Sequence, residues 1–577
     1  MTAAVSSLTS DLSSTLTRTP LAVRLLGTAL LLAACVAVAP RGGLAAVLLV
    51  PVSAIAAALL TKAFTREEDR WLIPVVVIAV LARDLLVGLV DTALLLRSGS
   101  LVYAPDEVTY LTAARALSAH WIDPSAPFDP NKPYLTSQYV QIMATVFVLL
   151  GQNLVFVKLL NTFMGIVAAL FLYRSMRNLS LRGAPVAAIA LLAFPSIVFW
   201  SALALKDAFV LFFLMGALWT TSEFINSRRW PWLGLTGLVL IPITSVRTYI
   251  FILECFALFA IVLAVRPWRF RLVTGGAVAA MVFVLFVLVQ PFKDLGSNPF
   301  YIPINVRNIN AAYGNSSFIT PPPVVTGQPG DRFVVTVPNA TAAANTTPQV
   351  IVVQPGTELI AVVGSPPPKQ SGQVFVRPGD VVVIAGGSPS PSPTPTPTVA
   401  PSPTGPAPSP TPTATVIATA TAVSVVLYPE VRSPVGISTA ATDDSTSLGG
   451  SLRANISFLP LGLLYVLFAP FPWSSRTLEQ AATIPEMIFW YGCLVSAAVA
   501  TVRLLMRRDL RFGFGFATAA GLLLILSLVE SNVGTLIRSR AMLVPYVLIL
   551  GAVGWAETVV TRQRITAAVT HRLRRSR

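Results

Sequence analysis

The sequence predicts an all-α polytopic membrane protein with about 12 transmembrane helices. Its 577 residues are 54% hydrophobic and only 11% charged, whereas charged residues make up about a quarter of a soluble globular domain. Apolar runs recur at the length of about 20 residues that a helix needs to cross a bilayer. Basic residues stand in short clusters between these runs, which is the pattern that orients membrane proteins. A soluble fold is therefore excluded.

Apolar runs and arginine clusters together predict a topology. The predicted spans are residues 21–39, 43–61, 72–96, 154–173, 185–203, 207–222, 232–246, 248–265, 273–290, 487–506, 512–529 and 541–558. The positive-inside rule places the arginine-rich loops and both termini in the cytoplasm. Residues 138–151 must then not cross the bilayer, and their length of about 14 residues favours a re-entrant or juxtamembrane helix. We therefore expect a multi-pass protein of the cell membrane.

The N-terminal residues 1–71 are predicted to form a tail and a helical hairpin. Leu32-Ala-Ala-Cys35 looks like a lipoprotein cleavage box, but the apolar run continues past Cys35 and a second run begins at Gly42. An uncleaved hairpin accounts for this stretch better than a signal peptide. The three cysteines are isolated in apolar segments and show no metal or disulfide spacing.

The rest of the chain divides into four predicted regions. These are a membrane core at 72–290 with a first extracytoplasmic loop at 98–153, an extracytoplasmic region with a small β module at 291–387, a disordered linker at 388–456, and C-terminal membrane helices with a basic cytoplasmic tail at 457–577. Val-rich runs separated by Pro-Gly pairs indicate the strands. The linker is rich in Ser, Pro and Thr and lacks the apolar residues of a packed core.

The net charge of +16 raises the question of a nucleic-acid partner. The basic residues lie in short clusters between apolar segments instead of forming one stripe or patch, so no nucleic-acid partner is predicted. Membrane lipids are the expected surroundings of these charges. The oligomeric state stays open.

Two adjacent acids, Asp106 and Glu107, follow the third predicted span. Pro105 suits the first position of a helix, and acids in a first turn complement the positive helix terminus. A helix is therefore predicted to begin here. The spacing of Tyr110, Leu117 and Trp121 puts them on one face, so this helix is expected to lie on the membrane surface with its apolar side down.

The pattern Pro-Asp-Glu-x-x-Tyr-x-x-x-Ala after a membrane helix resembles the first extracytoplasmic loop of GT-C superfamily glycosyltransferases. The resemblance extends over about 72–290 and points to the protein mannosyltransferase and aminoarabinose transferase type. The C-terminal half looks like uncharacterised bacterial membrane proteins associated with polysaccharides. The resemblance implies a polyprenyl-phosphate-linked sugar as donor.

Sugar transfer from a lipid phosphate needs a base for the acceptor hydroxyl and positive charge for the departing phosphate. Asp106 and Glu107 are the predicted catalytic acids, with Asp106 favoured by the resemblance. Adjacent residues lie about 100° apart on a helix, so one of the two faces the site. Arg538 and Arg540 are predicted to bind the phosphate through paired donors, with anchoring to lipid headgroups as the alternative.

Further candidates lie at predicted outer turns and helix ends. Lys206 and Arg247 are additional candidates for phosphate binding. The alternatives are that Lys206 and Asp207 neutralise each other and that Arg247 contacts headgroups. Tyr110, Asp207 and Lys158 complete the candidate residues. No metal ligands and no certain cofactor are predicted, and a requirement for a divalent cation stays open.

The implied function is transfer of a sugar from a polyprenyl phosphate donor to an extracytoplasmic acceptor, which is a cell-surface glycan, lipid or protein. The alternative is a non-catalytic transporter, flippase or assembly component for cell-surface polysaccharide. The sugar and the acceptor stay open.

Overall fold

The computed structural model describes residues 20–126, 128, 135, 137–264, 268–289, 459–471, 483–529 and 533–575, together with five short strands between 332 and 385. The chain divides into two units, of which the first comprises Met1–Pro303, Phe458–Val529 and Leu536–Arg577, and the second comprises Ile304–Ser457 and Glu530–Thr535. The first unit contains the membrane helices and all residues of the candidate site described below.

The described part of the chain is mostly helical. Its N-terminal helices are α1 (Leu21–Phe64), α2 (Leu72–Ser98), α3 (Pro105–Ile122), α4 (Gln138–Leu150), α5 (Leu154–Asn178), α6 (Ala184–Ala193), α7 (Pro195–Ser201), α8 (Asp207–Ser227), α9 (Trp230–Thr244), α10 (Thr248–Ala257), α11 (Ala260–Ala264) and α12 (Trp268–Val289). Its C-terminal helices are α13 (Leu459–Phe468), α14 (Ile484–Met506), α15 (Gly513–Val529), α16 (Val533–Arg540) and α17 (Val544–Arg575). Helix α13 was not among the predicted elements.

Within the described residues, six helices are long and apolar enough to cross a membrane: α1, α2, α5, α8, α12 and α14. A seventh span results if α6 and α7, which meet at a bend of 56°, are one broken span. Helices α4, α9, α13 and α15 are apolar but shorter, as are the segments Thr248–Val262 and Val544–Val559. A mostly helical protein with several membrane spans is thus confirmed. The number of twelve crossings stays a prediction.

Helix α1 is two helices that fold back on each other. Its backbone leaves the helical conformation at Gly43, where φ is +58°. The Cys35 Sγ atom lies 3.7 Å from the carbonyl oxygen of Val47, although twelve residues of a straight helix span about 18 Å. The two halves of this hairpin pack with α2 and α5 around a cluster of buried apolar residues: Ala34, Val38, Ala46, Val50, Ala54, Leu81, Val155, Phe156 and Leu159.

The break between α6 and α7 is stabilised by charged groups at both helix ends. Pro195 begins α7, and at the end of α6 Arg83 Nη2 donates to the carbonyl oxygen of Leu192 at 2.9 Å. The carboxylate of Glu486 accepts the Ser196 N–H at 2.8 Å. A cation at a helix C-terminus and an anion at a helix N-terminus both complement the helix dipole. Charged side chains of the protein therefore bind the backbone groups on both sides of this break.

Arg83 and Asp84 are adjacent charged residues of α2 that have separate partners. Arg83 also contacts Ser201 at 3.3 Å, whereas Asp84 accepts hydrogen bonds from Ser53 and Thr162, each at 3.0 Å. Neighbouring residues on a helix point about 100° apart. Arg83 therefore contacts α6 and α7, whereas Asp84 contacts α1 and α5.

Helix α3 begins at Pro105 as predicted, but its apolar face does not lie on the membrane. Tyr110 and Leu117 are 3% and 8% exposed, and the Tyr110 ring packs edge-on against Tyr139 of α4 at 5.6 Å between centroids. Trp121, at the far end of α3, is 47% exposed. The apolar face is covered by the protein because α4 folds back against α3.

The strands of the second unit are β1 (Arg332–Thr336), β2 (Gln349–Val352), β3 (Glu358–Ile360), β4 (Gln373–Phe375) and β5 (Val383–Ala385). Strand β1 pairs with β2 antiparallel and with β4 parallel, and β3 pairs with β5 antiparallel. These strands are short, and a packed β module stays a prediction. The linker predicted at 388–456 lies outside the described residues.

Substitution of Gly88 by Ala is expected to destabilise the contact between the hairpin and α2. A Cβ atom at Gly88 would lie 2.5 Å from the Cβ and 2.7 Å from the backbone of Ala37, and such overpacking costs about 1–3 kcal/mol. The measurement is thermal unfolding of the purified protein in detergent. Gly234→Ala is the matched control because a Cβ there meets nothing within 4 Å. An equal melting temperature for both variants would contradict the close packing.

Candidate active site

Four segments that are far apart in the sequence bring charged side chains together. They are the start of α3, the turn before α8, the turn between α9 and α10, and α16. The Asp106 carboxylate accepts a hydrogen bond from Arg538 Nη1 at 2.8 Å although 432 residues separate them. We call the set Asp106, Lys206, Asp207, Arg247 and Arg538 the charge cluster.

Asp207, the first residue of α8, lies at the centre of the charge cluster. Its Oδ2 accepts from Arg538 Nε at 2.5 Å, and its Oδ1 accepts from Arg247 Nη2 at 3.0 Å. The Asp207 side chain is 3% exposed. Arg247 is held further by the hydroxyl of Tyr249, at 2.6 Å from Nη1. One buried carboxylate therefore orients two guanidinium groups.

Lys206 adds a third positive charge beside Asp207. Its Nζ lies 3.4 Å from the carbonyl oxygen of Val246 and 5.5 Å from the centre of the Tyr110 ring. Burial, together with repulsion from Arg247 and Arg538, lowers the pKa of Lys206 to about 8. The ammonium group is therefore charged at neutral pH and loses its proton in mildly alkaline solution.

The two adjacent acids at the start of α3 have different surroundings. The Asp106 side chain is 50% exposed. Glu107 is fully buried, and its carboxylate accepts three backbone N–H groups: Tyr103 at 2.6 Å, Ala104 at 3.1 Å and Ala204 at 2.6 Å. Glu107 thus caps α3 and ties it to the segment before α8. The prediction that Glu107 is catalytic does not fit this burial, because none of its surface faces a substrate.

Asn161 of α5 holds the same segment from the other side. Its amide nitrogen donates to the carbonyl oxygens of Leu203 at 2.7 Å and Leu205 at 2.9 Å. With the bond from Ala204 to Glu107, three consecutive backbone groups before Lys206 are fixed by buried side chains. Lys206 and Asp207 therefore emerge from a rigid turn.

Two of the predicted site residues lie elsewhere. Arg540 is 1% exposed and donates to the carbonyl oxygen of Ala469 at 2.5 Å. Lys158 is fully buried and pairs with Asp91 at 2.5 Å. The structure therefore does not bring Arg538 and Arg540 together, because residues two apart on a helix point about 200° apart. Lys158 forms an ion pair within the helix bundle and does not reach the charge cluster.

The charge cluster is suited to bind an anion. It contains three basic and two acidic side chains, which leaves one excess positive charge. Among the described residues, Arg538 Nη2 is buried and has no hydrogen-bond partner, although a guanidinium can offer paired donors to phosphate oxygens. The described part of the chain has no group of three His, Cys, Asp or Glu side chains that could hold a metal ion.

Sequence reasoning found the members of the charge cluster but missed Asn161 as a support of its turn. The only signal was a polar residue on the face of an otherwise apolar span. Such residues usually face other helices and find partners there. The identity of those partners, Leu203 and Leu205, required the fold.

Residues 132–292 match the model of a family described as dolichyl-phosphate-mannose-protein mannosyltransferase. The matched stretch includes Lys206, Asp207 and Arg247, whereas Asp106 and Arg538 lie outside it. No curated protein and no solved structure matches the chain significantly. The family match confirms the resemblance to GT-C glycosyltransferases and supports a membrane glycosyltransferase of this type.

Substitution of the two adjacent acids is expected to affect stability differently. Glu107→Gln leaves at least one buried N–H without an acceptor, which costs about 1–3 kcal/mol, and should lower the melting temperature. Asp106→Asn removes a half-exposed ion pair worth about 0–1 kcal/mol and should change it little. Thermal unfolding of both variants in detergent measures the difference. A larger loss for Asp106→Asn would overturn the assignment of Glu107 as the buried cap.

Proposed function

We propose that this protein transfers a sugar from a polyprenyl phosphate donor to an extracytoplasmic acceptor. The observation that carries the proposal is the convergence of a half-exposed acid, Asp106, with three buried or nearly buried cations in the charge cluster. The matched family, dolichyl-phosphate-mannose-protein mannosyltransferase, is described by a lipid-phosphate-linked mannose, which supports this class of donor. The predicted topology supports an outward-facing site, because every segment of the cluster adjoins a predicted outer turn.

The proposed reaction is a single displacement. The acceptor hydroxyl oxygen forms a bond to the anomeric carbon while the bond from that carbon to the phosphate oxygen breaks. The hydroxyl proton passes to the Asp106 carboxylate, and the bonding electron pair leaves with the polyprenyl phosphate. A positioned base of this kind contributes about 10²–10⁴-fold to the rate. Asp106 suits this role because it is the exposed carboxylate of the charge cluster.

The cations of the charge cluster are proposed to stabilise the departing phosphate. Arg538 has its Nε bound to Asp207, and among the described residues its Nη2 has no hydrogen-bond partner, so Nη2 is the donor that we assign to a phosphate oxygen. Lys206 supplies a further positive charge next to Asp207. Cations that are already oriented before the reaction stabilise a developing negative charge most effectively. Asp207 is proposed to provide this orientation.

The rival function, transport or flipping of a lipid-linked glycan, has less support. A transport path needs polar groups that a substrate can contact across the bilayer depth. In the described residues the charges within spans have protein partners, such as Lys158 with Asp91. The two helix ends at the break between α6 and α7 are also occupied, by Arg83 and Glu486. Consumption of donor by purified protein separates the two functions, since a flippase consumes none.

Asp106→Asn is expected to lower sugar transfer by about 10²–10⁴-fold, because the amide cannot accept the proton of the acceptor hydroxyl. The measurement is release of polyprenyl phosphate by purified protein in detergent, with polyprenyl phosphate mannose as the first donor tested. Asp123→Asn is the matched control, because Asp123 is an exposed acid at the other end of α3. Normal turnover by Asp106→Asn would exclude Asp106 as the base.

The KM for the donor is expected to rise severalfold as the pH increases from 7 to 9.5. Lys206, with its pKa lowered to about 8, is protonated below this pH and neutral above it, whereas the phosphodiester of the donor stays ionised throughout. Attraction between Lys206 and the donor is therefore lost as the pH rises. Lys206→Arg should move the rise in KM to higher pH, since a guanidinium stays protonated. A wild-type pH profile in Lys206→Met would contradict the role of Lys206.

A further inference from the structure

The two arginines of α16 point in opposite directions. Helix α16 has eight residues, and Arg538 and Arg540 are two positions apart, which turns their side chains about 200° from each other. Arg538 faces the charge cluster, where it contacts Asp106 and Asp207. Arg540 faces α13 and α14. When a short helix carries an arginine on each side, the arginine with the firmer contacts fixes the rotation of the helix about its axis.

The surroundings of Arg540 hold it firmly. Nη1 donates to the carbonyl oxygen of Ala469 at 2.5 Å, and Nη2 lies 3.3 Å from the Met487 sulfur. The guanidinium lies 5.1 Å from the centre of the Trp490 ring. The Trp490 indole is itself fully buried and donates to the carbonyl oxygen of Leu467 at 2.7 Å. Arg540 therefore cannot reach a phosphate or a lipid headgroup without leaving this pocket.

Glu486 links the surroundings of Arg540 to the segment that precedes Asp207 of the charge cluster. It precedes Met487, whose sulfur contacts Arg540, and its carboxylate accepts the N–H of Ser196 at the start of α7. Helix α7 leads through the rigid turn to Asp207. Arg538 and Asp207, which form an ion pair, are thus both connected to the first turn of α14.

We propose that Arg540 is a positioning residue that fixes the rotation of α16 and so directs Arg538 toward Asp106 and Asp207. This inference rests on the proposed function, in which Arg538 binds the donor phosphate. An arginine suits the position because its planar guanidinium contacts a carbonyl, a thioether and an aromatic face at once, whereas lysine has one compact charge. A buried cation is costly unless all its donors are satisfied, so the pocket holds Arg540 in one orientation.

The first test is a double-mutant cycle on donor turnover. Arg540→Met is expected to lower kcat about 10–100-fold, since small misplacements of a reacting group cost rates of this order. In an Arg538→Met background the same substitution should cause no further loss, because Arg540 acts through Arg538. Arg503→Met is the matched control, as Arg503 lies on α14 and pairs with Glu557 of α17 away from the cluster. Independent, multiplying losses for Arg538 and Arg540 would overturn the proposal.

The second test needs no turnover. Cysteines replace Asp106 and Arg538 in a protein whose three native cysteines are changed to Ala, and a short bis-maleimide cross-links them. The cross-linked fraction is expected to fall severalfold when Arg540→Met is added, and an unchanged fraction would overturn the positioning role. If the wild-type protein consumes no donor but the cross-link of the double-cysteine protein depends on Arg540, the proposed function fails while the positioning role stands.

A second substitution, Arg540→Lys, keeps the tests informative if Arg540→Met does not fold. Arg540→Lys keeps a positive charge near Trp490 but loses the paired donors, so it is measured in the same two assays. It is expected to retain the melting temperature better than Arg540→Met and to show intermediate turnover and cross-linking. Wild-type values of both in a folded Arg540→Lys protein would show that the paired guanidinium contacts do not direct Arg538.

Discussion

The site depends on one buried carboxylate, Asp207, that pairs with two arginines from distant parts of the chain. A buried carboxylate without partners costs several kcal/mol, and a buried guanidinium does too. Asp207 is 3% exposed, and its two oxygens receive Arg247 and Arg538 separately. Removal of Asp207 would leave both guanidinium groups without this shared partner. The pairing therefore requires the α9–α10 turn and α16 to lie at the start of α8.

The backbone before Asp207 is fixed by a second set of buried polar contacts. Glu107 accepts the N–H of Ala204, and Asn161 donates to the carbonyls on either side of it. Backbone groups of a non-helical segment inside a membrane protein have no water to bind, so side chains must satisfy them. The same side chains that satisfy this segment also place Asp207. The contacts of Glu107 and Asn161 thus both stabilise the turn and set the geometry of the charge cluster.

The sequence predicted the helices well, because apolar length and charge clusters are local properties of the chain. It also made a shared site for Asp106 and Arg538 possible, since both adjoin predicted outer ends of spans. It did not separate Arg538 from Arg540, although the spacing of two residues on a helix implies opposite directions. It could not show which of Asp106 and Glu107 is buried. Burial depends on what the rest of the fold places against each face, and here Ala204 covers Glu107.

The exposure of the charged side chains indicates the direction from which the charge cluster is reached. Asp207, Arg247 and Arg538 are 3%, 11% and 13% exposed, whereas Asp106 is 50% exposed. The Asp106 carboxylate is therefore the most accessible of these four side chains. Charges in such a partly shielded site act more strongly than they would in water, because the surrounding dielectric is low. An anion held by Arg538 would lie at the inner end of this gradient, and a neutral hydroxyl group approaching from solvent would meet Asp106 first.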